Sequence, residues 1–228
     1  MVPPLVLDID GTLTRPDSTG TPLPIDPRVF DPLANWPATV VLATGKAFPF
    51  PVALSQFIGL DRALIAETGG IACYGDRMEQ LGNGEAARAV KAAMADRGHE
   101  PTVDSLGFIN RWRETEVAFD RTVPLQLLRE VAETHNLHVI DTGYAYHVKD
   151  PTVSKGRALE WVVDQLEADL VDFVAIGDSI NDVSLFDRVG QSFALANADD
   201  AAQDAATNVT EGMHAEGTLE ALAELEEA

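Results

Sequence analysis

Lysine is scarce in this 228-residue chain. Four lysines (Lys46, Lys91, Lys149 and Lys155) and twelve arginines face 37 acids, for a formal net charge of −21. Nucleic acid and anionic membranes both recruit proteins through basic patches, so neither is expected as a partner. The acids are spread along the chain, not gathered in a tail. Uniform acidity with little lysine suits a high-salt, halophilic medium, where salt screens the self-repulsion. Cysteine is nearly absent: Cys73 stands alone, which excludes an intramolecular disulfide and any cysteine-based zinc cluster. Long apolar runs are missing too, and none approaches the ~20 residues of a membrane span. The first residues carry no basic region and only a short apolar run, unlike a signal peptide. A soluble, cytoplasmic protein is the expectation. At this length, roughly 70% of the unfolded surface can be buried, so no staple is needed.

What is present is a series of short apolar runs bounded by turn signals. Residues 4–9, 38–44, 62–67, 172–178 and 192–197 read as strands buried on both faces, as in parallel sheets. Helical patterns lie between them at 46–58, 155–168, 180–188 and 199–206. This alternation predicts an α/β fold with a doubly wound, Rossmann-like parallel sheet. The middle reads differently. Residues 84–98 form an Ala-rich helix, followed by strands in "PTVDSLGF" and "ETEVAF". A second helix (123–136) precedes two strands, 137–142 and 144–149, joined by the turn signal Asp141-Thr142-Gly143. Residues 82–150 thus read as an inserted α+β domain that splits the larger one into 1–81 and 151–228.

The sharpest feature is "PLVLDIDGTLT", residues 4–14. Asp8 and Asp10 interrupt an apolar strand two residues apart, where an unpaired buried carboxylate costs several kcal/mol, roughly. Two such residues share one face of a strand unless the strand ends between them, and Gly11 suggests that it does. Ligands bind at the carboxyl ends of strands in α/β sheets. Other strands end in Thr44-Gly45 and in "GDSIND", which supplies Asp178 and Asp182, while Lys155 opens a helix. Four carboxylates in one pocket repel unless a cation is present. Oxygen ligands favour Mg²⁺, which leaves room for a phosphate that Thr44 and Lys155 could meet.

In order, "LDIDGTLT", "VVLATG", Lys155 and "GDSIND" resemble the four motifs of the haloacid dehalogenase (HAD)-like phosphohydrolases. The resemblance covers nearly the whole chain. The insert resembles the α+β cap of a subgroup acting on sugar and small-acid phosphates, and its short form is most similar to that of archaeal phosphoglycolate phosphatases. Two departures stand out: Thr68-Gly69-Gly70 where the subgroup often has Asn-Gly, and Lys46 after Thr44-Gly45.

The resemblance implies Mg²⁺-dependent hydrolysis of a small phosphorylated metabolite, 2-phosphoglycolate first. Asp8 is then the nucleophile and Asp10 the general acid and base. Asp8, Asp10 (through its carbonyl), Asp178 and Asp182 hold the metal, and Thr44, Gly45 and Lys155 bind substrate. Backbone N–H groups of Asp10 to Thr12 would add an anion-binding nest. Arg111, Arg113 and Arg121 are candidate partners for a substrate carboxylate. A sugar-phosphate phosphatase and a phosphomutase use the same aspartates and stay open as alternatives. A phospho-accepting receiver domain is disfavoured, because receivers use adjacent acids and lack an insert. Assembly into a homo-oligomer is left open.

Some signals are set aside. "GNGEAA" (82–87) fits a dinucleotide glycine pattern but follows the polar "GDRMEQL", which reads as a linker into the cap helix. "LATGKA" fails as a phosphate loop, since Val40 and Ala47 stand where Gly and Ser or Thr belong. "NVT" (208–210) fits a glycosylation sequon with no sign of secretion.

Overall fold

The computed structural model describes residues 2–16, 24–101, 110–142 and 145–227. An eight-stranded sheet forms its centre, in the order β11-β10-β9-β1-β2-β3-β4-β5. Its middle strands are β1 (Leu5–Leu7), β2 (Val40–Ala43), β3 (Ala63–Ala66) and β9 (Val174–Gly177). All four are buried along their length and run parallel, with Leu7 opposite both Leu42 and Ile176. β10 (Gln191–Ala194) and β11 (Asn208–Val209) extend the parallel arrangement on one side. On the other side, β4 (Ile71–Tyr74) and β5 (Arg77–Gln80) turn antiparallel.

Period-two burial sorts the side chains onto two helical layers. Leu5 and Leu7 join a core built with α1 (Phe30–Ala34), α2 (Pro49–Ile58) and α8 (Ala215–Glu227). Val6 faces the other way, into a core completed by α5 (Lys155–Leu166), α6 (Val183–Phe186) and α7 (Asp200–Ala205). Helices therefore cover both faces, as a doubly wound sheet requires.

Residues 77–80 depart from expectation. The stretch read as a polar linker is β5, the exposed edge strand, and Leu81 N donates to the Gly70 carbonyl. "GNGEAA" is a helix start: the Asn83 side chain accepts from Ala86 N at 3.1 Å and caps α3 (Gly84–Ala95).

A separate antiparallel sheet follows α3 in the sequence. It runs β6-β8-β7, from β6 (Val117–Phe119), β7 (His138–Asp141) and β8 (Tyr146–Lys149). One face carries Val117, Phe119, Tyr146 and Val148 against α3 and α4 (Leu125–Glu133), a core of its own. Truncating a residue as buried as Phe119 costs about 3–5 kcal/mol. The strand expected in "PTVDSLGF" lies largely outside the described residues, as does the tip of the β7–β8 hairpin.

Candidate active site

Because β1, β2 and β9 are parallel, the residues that follow them emerge on one edge of the sheet: Asp8, Thr44 and Asp178. β1 ends at Leu7, two residues short of the expected strand, although Asp8 N still donates to the Ile176 carbonyl at 3.0 Å. The chain then turns, and the Ile9 carbonyl accepts from Leu13 N at 2.9 Å. The two aspartates consequently part. Asp8 is buried, whereas Asp10 sits at the rim, its side chain 39% exposed and paired with Lys46 Nζ at 2.8 Å. The turn also engages the N–H groups of Gly11 (on Thr14 Oγ1, 2.9 Å) and Thr12 (on Ile9 O, 3.3 Å). These two donors are spent within the turn, so the expected nest does not form from them.

Carboxylate oxygens of Asp8, Asp178 and Asp182 lie within 4.8 Å of one another. The expected cluster of four carboxylate side chains is thus one of three, with the Asp10 carboxylate outside it. Lys155, at the first turn of α5, is buried among them. Its ammonium donates to Asp8 Oδ1 at 2.5 Å and to Asp182 Oδ1 at 2.7 Å. The helix starts here because the Ser154 side chain caps it, accepting from Arg157 N at 3.2 Å. Asp182 also shapes the loop after β9, where its Oδ2 accepts from the backbone N–H groups of Asp178 and Ser179, both at 3.1 Å.

Burial dominates the electrostatics. It pushes the Asp8 carboxyl up to about 7, with Lys155 opposing and Asp182 and Asp10 adding to the rise. Asp178 is pushed up to about 9, again by burial first and then by the charges of Asp8 and Asp182. Burial alone would lower the Lys155 ammonium, but Asp182 and Asp8 outweigh it and hold it above its usual range. Ionised together, the three carboxylates would outnumber the one ammonium, and a cation is what would favour that ionised state. An all-oxygen donor set of this kind is one that hard divalent cations take, so Asp8, Asp178 and Asp182 fit a metal.

Further residues complete the site: Asn197, which carries no signal in the sequence, and Thr12 and Gly11, read there only as part of a nest and a strand end. Asn197 donates through Nδ2 to Asp178 Oδ2 (3.2 Å) and to the Gly11 carbonyl (3.1 Å), and its Oδ1 accepts from His214 N at 2.6 Å. Thr12 Oγ1 donates to Asp178 Oδ1 at 3.3 Å. Asp178 is thereby oriented from two sides. Gly11, at φ +83°, lies so close that a Cβ there would sit 2.0 Å from Asp178 Oδ2; only glycine permits this approach.

Thr44 is fully buried, and its Oγ1 accepts from Lys46 N at 3.0 Å. The Gly45 carbonyl accepts from Arg113 Nη1 at 2.9 Å, across from the inserted unit. Arg113 also pairs with buried Glu116, which His147 Nδ1 meets at 2.9 Å and Thr68 Oγ1 at 3.3 Å. Lys149 Nζ donates to the Thr68 carbonyl at 2.8 Å. Of the three arginines singled out in the sequence, Arg113 alone reaches this seam through a described contact. Arg121 pairs with Asp141 at 3.0 Å on the surface, and Arg111 is exposed.

The geometry agrees with what the chain is similar to. Residues 114–222 match the family model described as haloacid dehalogenase-like hydrolase. The chain belongs to the haloacid dehalogenase-like hydrolases and is a phosphatase. It is 51% identical over 227 residues to a protein of Halorubrum lacusprofundi named phosphoglycolate phosphatase, covering 99% of this chain and 98% of that one. A protein of the same name from Halobacterium salinarum is 50% identical over 220 residues, 96% of each chain. Among solved structures, that of Thermoplasma acidophilum 0175 superposes with a TM-score of 0.84 at 24% identity, covering 99% of both chains. Among the described residues no helix is long and apolar enough to cross a membrane.

Proposed function

We propose that this phosphatase hydrolyses 2-phosphoglycolate to glycolate and phosphate through an aspartyl-phosphate on Asp8, with Mg²⁺ as cofactor. The observation that carries this reading is Asp8 itself. It is a buried carboxylate at the end of the central strand, held 2.5 Å from Lys155, in a chain half identical to proteins named phosphoglycolate phosphatase.

In the first step Asp8 Oδ attacks phosphorus, the bond from phosphorus to the ester oxygen breaks, and Asp10 gives its proton to the departing alkoxide. In the second, water attacks phosphorus and gives a proton to Asp10, the Asp8–phosphorus bond breaks, and inorganic phosphate leaves. The rim position of Asp10, steadied by Lys46, suits a group that must reach the leaving oxygen. Lys155, the Thr44 hydroxyl and the Gly45 backbone bind the phosphoryl group. Mg²⁺, when bound by Asp8, Asp178, the Asp10 carbonyl and nearby Asp182, supplies charge neutralisation and polarisation of the phosphoryl oxygen. Residues 82–150 act as a cap over the site, while 1–81 and 151–228 form the catalytic core. The acidic surface adapts the enzyme to a salt-rich cytoplasm.

The test is phosphate release from 2-phosphoglycolate, sugar phosphates and phosphoserine, in high salt with Mg²⁺, by the wild type and Asp8→Asn. The wild type should prefer 2-phosphoglycolate. Asp8→Asn should lose activity by on the order of 10⁴-fold or more. Its fold should survive, because Lys155 keeps its bond to Asp182. Undiminished turnover in that variant would remove Asp8 from the nucleophile's role.

A further inference from the structure

The three-stranded sheet has two unlike faces. One is the apolar core described above. The other carries Glu116, His147 and Lys149, all buried although charged or polar, and turns toward Thr68 and the loop after β2. A buried polar face needs a reason, because desolvating these groups is costly unless each finds partners.

Most of them do. Glu116 is held ionised, its carboxyl drawn down to about 2. Burial opposes this, and His147, Arg113 and Lys149 together overcome it. Arg113 is the exception. Its side chain is only 5% exposed, and its guanidinium reaches Glu116 and the Gly45 carbonyl. Its Nε, buried too, has no hydrogen-bond partner among the described residues. A buried donor left without an acceptor is costly. A charged donor left this way beside the proposed phosphoryl site points to a ligand that brings its own acceptor.

We infer that Arg113, flanked by His147 and Lys149, is the subsite for the carboxylate of the substrate's leaving group. The inference rests on the phosphatase reading and deepens it. In 2-phosphoglycolate one methylene separates the ester oxygen from the carboxylate carbon. With the phosphoryl group at Thr44 and Gly45, the carboxylate must lie beside them. Arg113 is already anchored there, on the Gly45 carbonyl. Glu116 keeps the guanidinium in place through one edge and leaves Nε to donate to the incoming oxygen, an arrangement that a compact ammonium could not reproduce. Arg113 is therefore the specificity-determining residue, and Glu116 and Thr68 are positioning residues.

The experiment compares kcat/KM for 2-phosphoglycolate and ethyl phosphate, which has a methyl group where the carboxylate would be. The wild type should favour 2-phosphoglycolate by 100-fold or more; a ratio under ten overturns the subsite without any variant being needed. In Arg113→Gln the ratio should fall at least tenfold, chiefly through KM for 2-phosphoglycolate, and Arg113→Lys should recover part of it. If both substrates lose equally in Arg113→Gln, Arg113 merely ties the inserted unit to the core, and the subsite is refuted. If the wild type hydrolyses neither ester, it is the phosphatase reading that fails.

Discussion

Lys155 Nζ lies 2.5 Å from Asp8 Oδ1 and 2.7 Å from Asp182 Oδ1, so one buried ammonium holds two buried carboxylates together. Removing it exposes their repulsion. Lys155→Met should destabilise the fold by about 3–5 kcal/mol, the usual cost of breaking a buried ion pair from one side. Urea unfolding at neutral pH measures this. A loss under about 1 kcal/mol would mean that the carboxylates protonate or hydrate at little cost.

The proposed metal site makes a second prediction. Mg²⁺ should raise the thermal transition of the wild type, by about 2.7 kcal/mol in stability once its concentration is 100 times Kd. Asp178→Asn should abolish that rise. Asn197→Ala should weaken it, because Asp178 then loses one of the two side-chain donors that orient it. Calorimetry with and without Mg²⁺ reads all three, and an equal rise in Asp178→Asn would remove Asp178 from the proposed metal site.

Glu116 makes a prediction in acid. Its folded pKa, about 2, lies below the ordinary 4.5. The stability it contributes is therefore complete above pH 4.5 and disappears as pH falls toward 2, amounting to roughly 3 kcal/mol. In Glu116→Gln this part of the acid limb should flatten relative to the wild type. A variant with an unchanged acid limb would show that Glu116 titrates alike in both states.

Salt should matter more than any one ion pair. At a net charge of −21 the folded chain repels itself, and raising ionic strength from about 0.1 to 1 M shortens the screening length from ~10 to ~3 Å. The thermal transition should rise with KCl over this range. A transition highest in dilute buffer would contradict adaptation to salt.

The sequence made much of the site legible. Asp8, Lys155, Asp178 and Asp182 follow strand ends or open a helix, and parallel strands force those positions onto one edge. The parting of Asp8 and Asp10 was only half legible: Gly11 hinted that β1 stops near them, but that Asp8 is buried while Asp10 sits at the rim depends on the turn that follows, which leaves no periodic signal. β5 escaped for a related reason: an edge strand exposed at every residue carries no apolar alternation. Asn197 and Thr12 are ordinary residue types whose role exists only through contacts across the fold. The seam of Glu116, His147 and Lys149 was hidden likewise, since a charged residue in an acidic chain reads as surface until the fold buries it.

The position of β1 between β2 and β9 also governs assembly at the ribosome. β2 follows soon after β1, but β9 begins only at Val174, after the whole inserted unit has been made. Until then the nascent central sheet carries an open flank at β1, the kind of edge that invites mispairing. The inserted unit has no such delay, because its helices and strands lie close in sequence around their own core. It can therefore form first, while Asp8 waits for Lys155 and Asp178 to leave the tunnel; the candidate site is among the last parts of the molecule to exist.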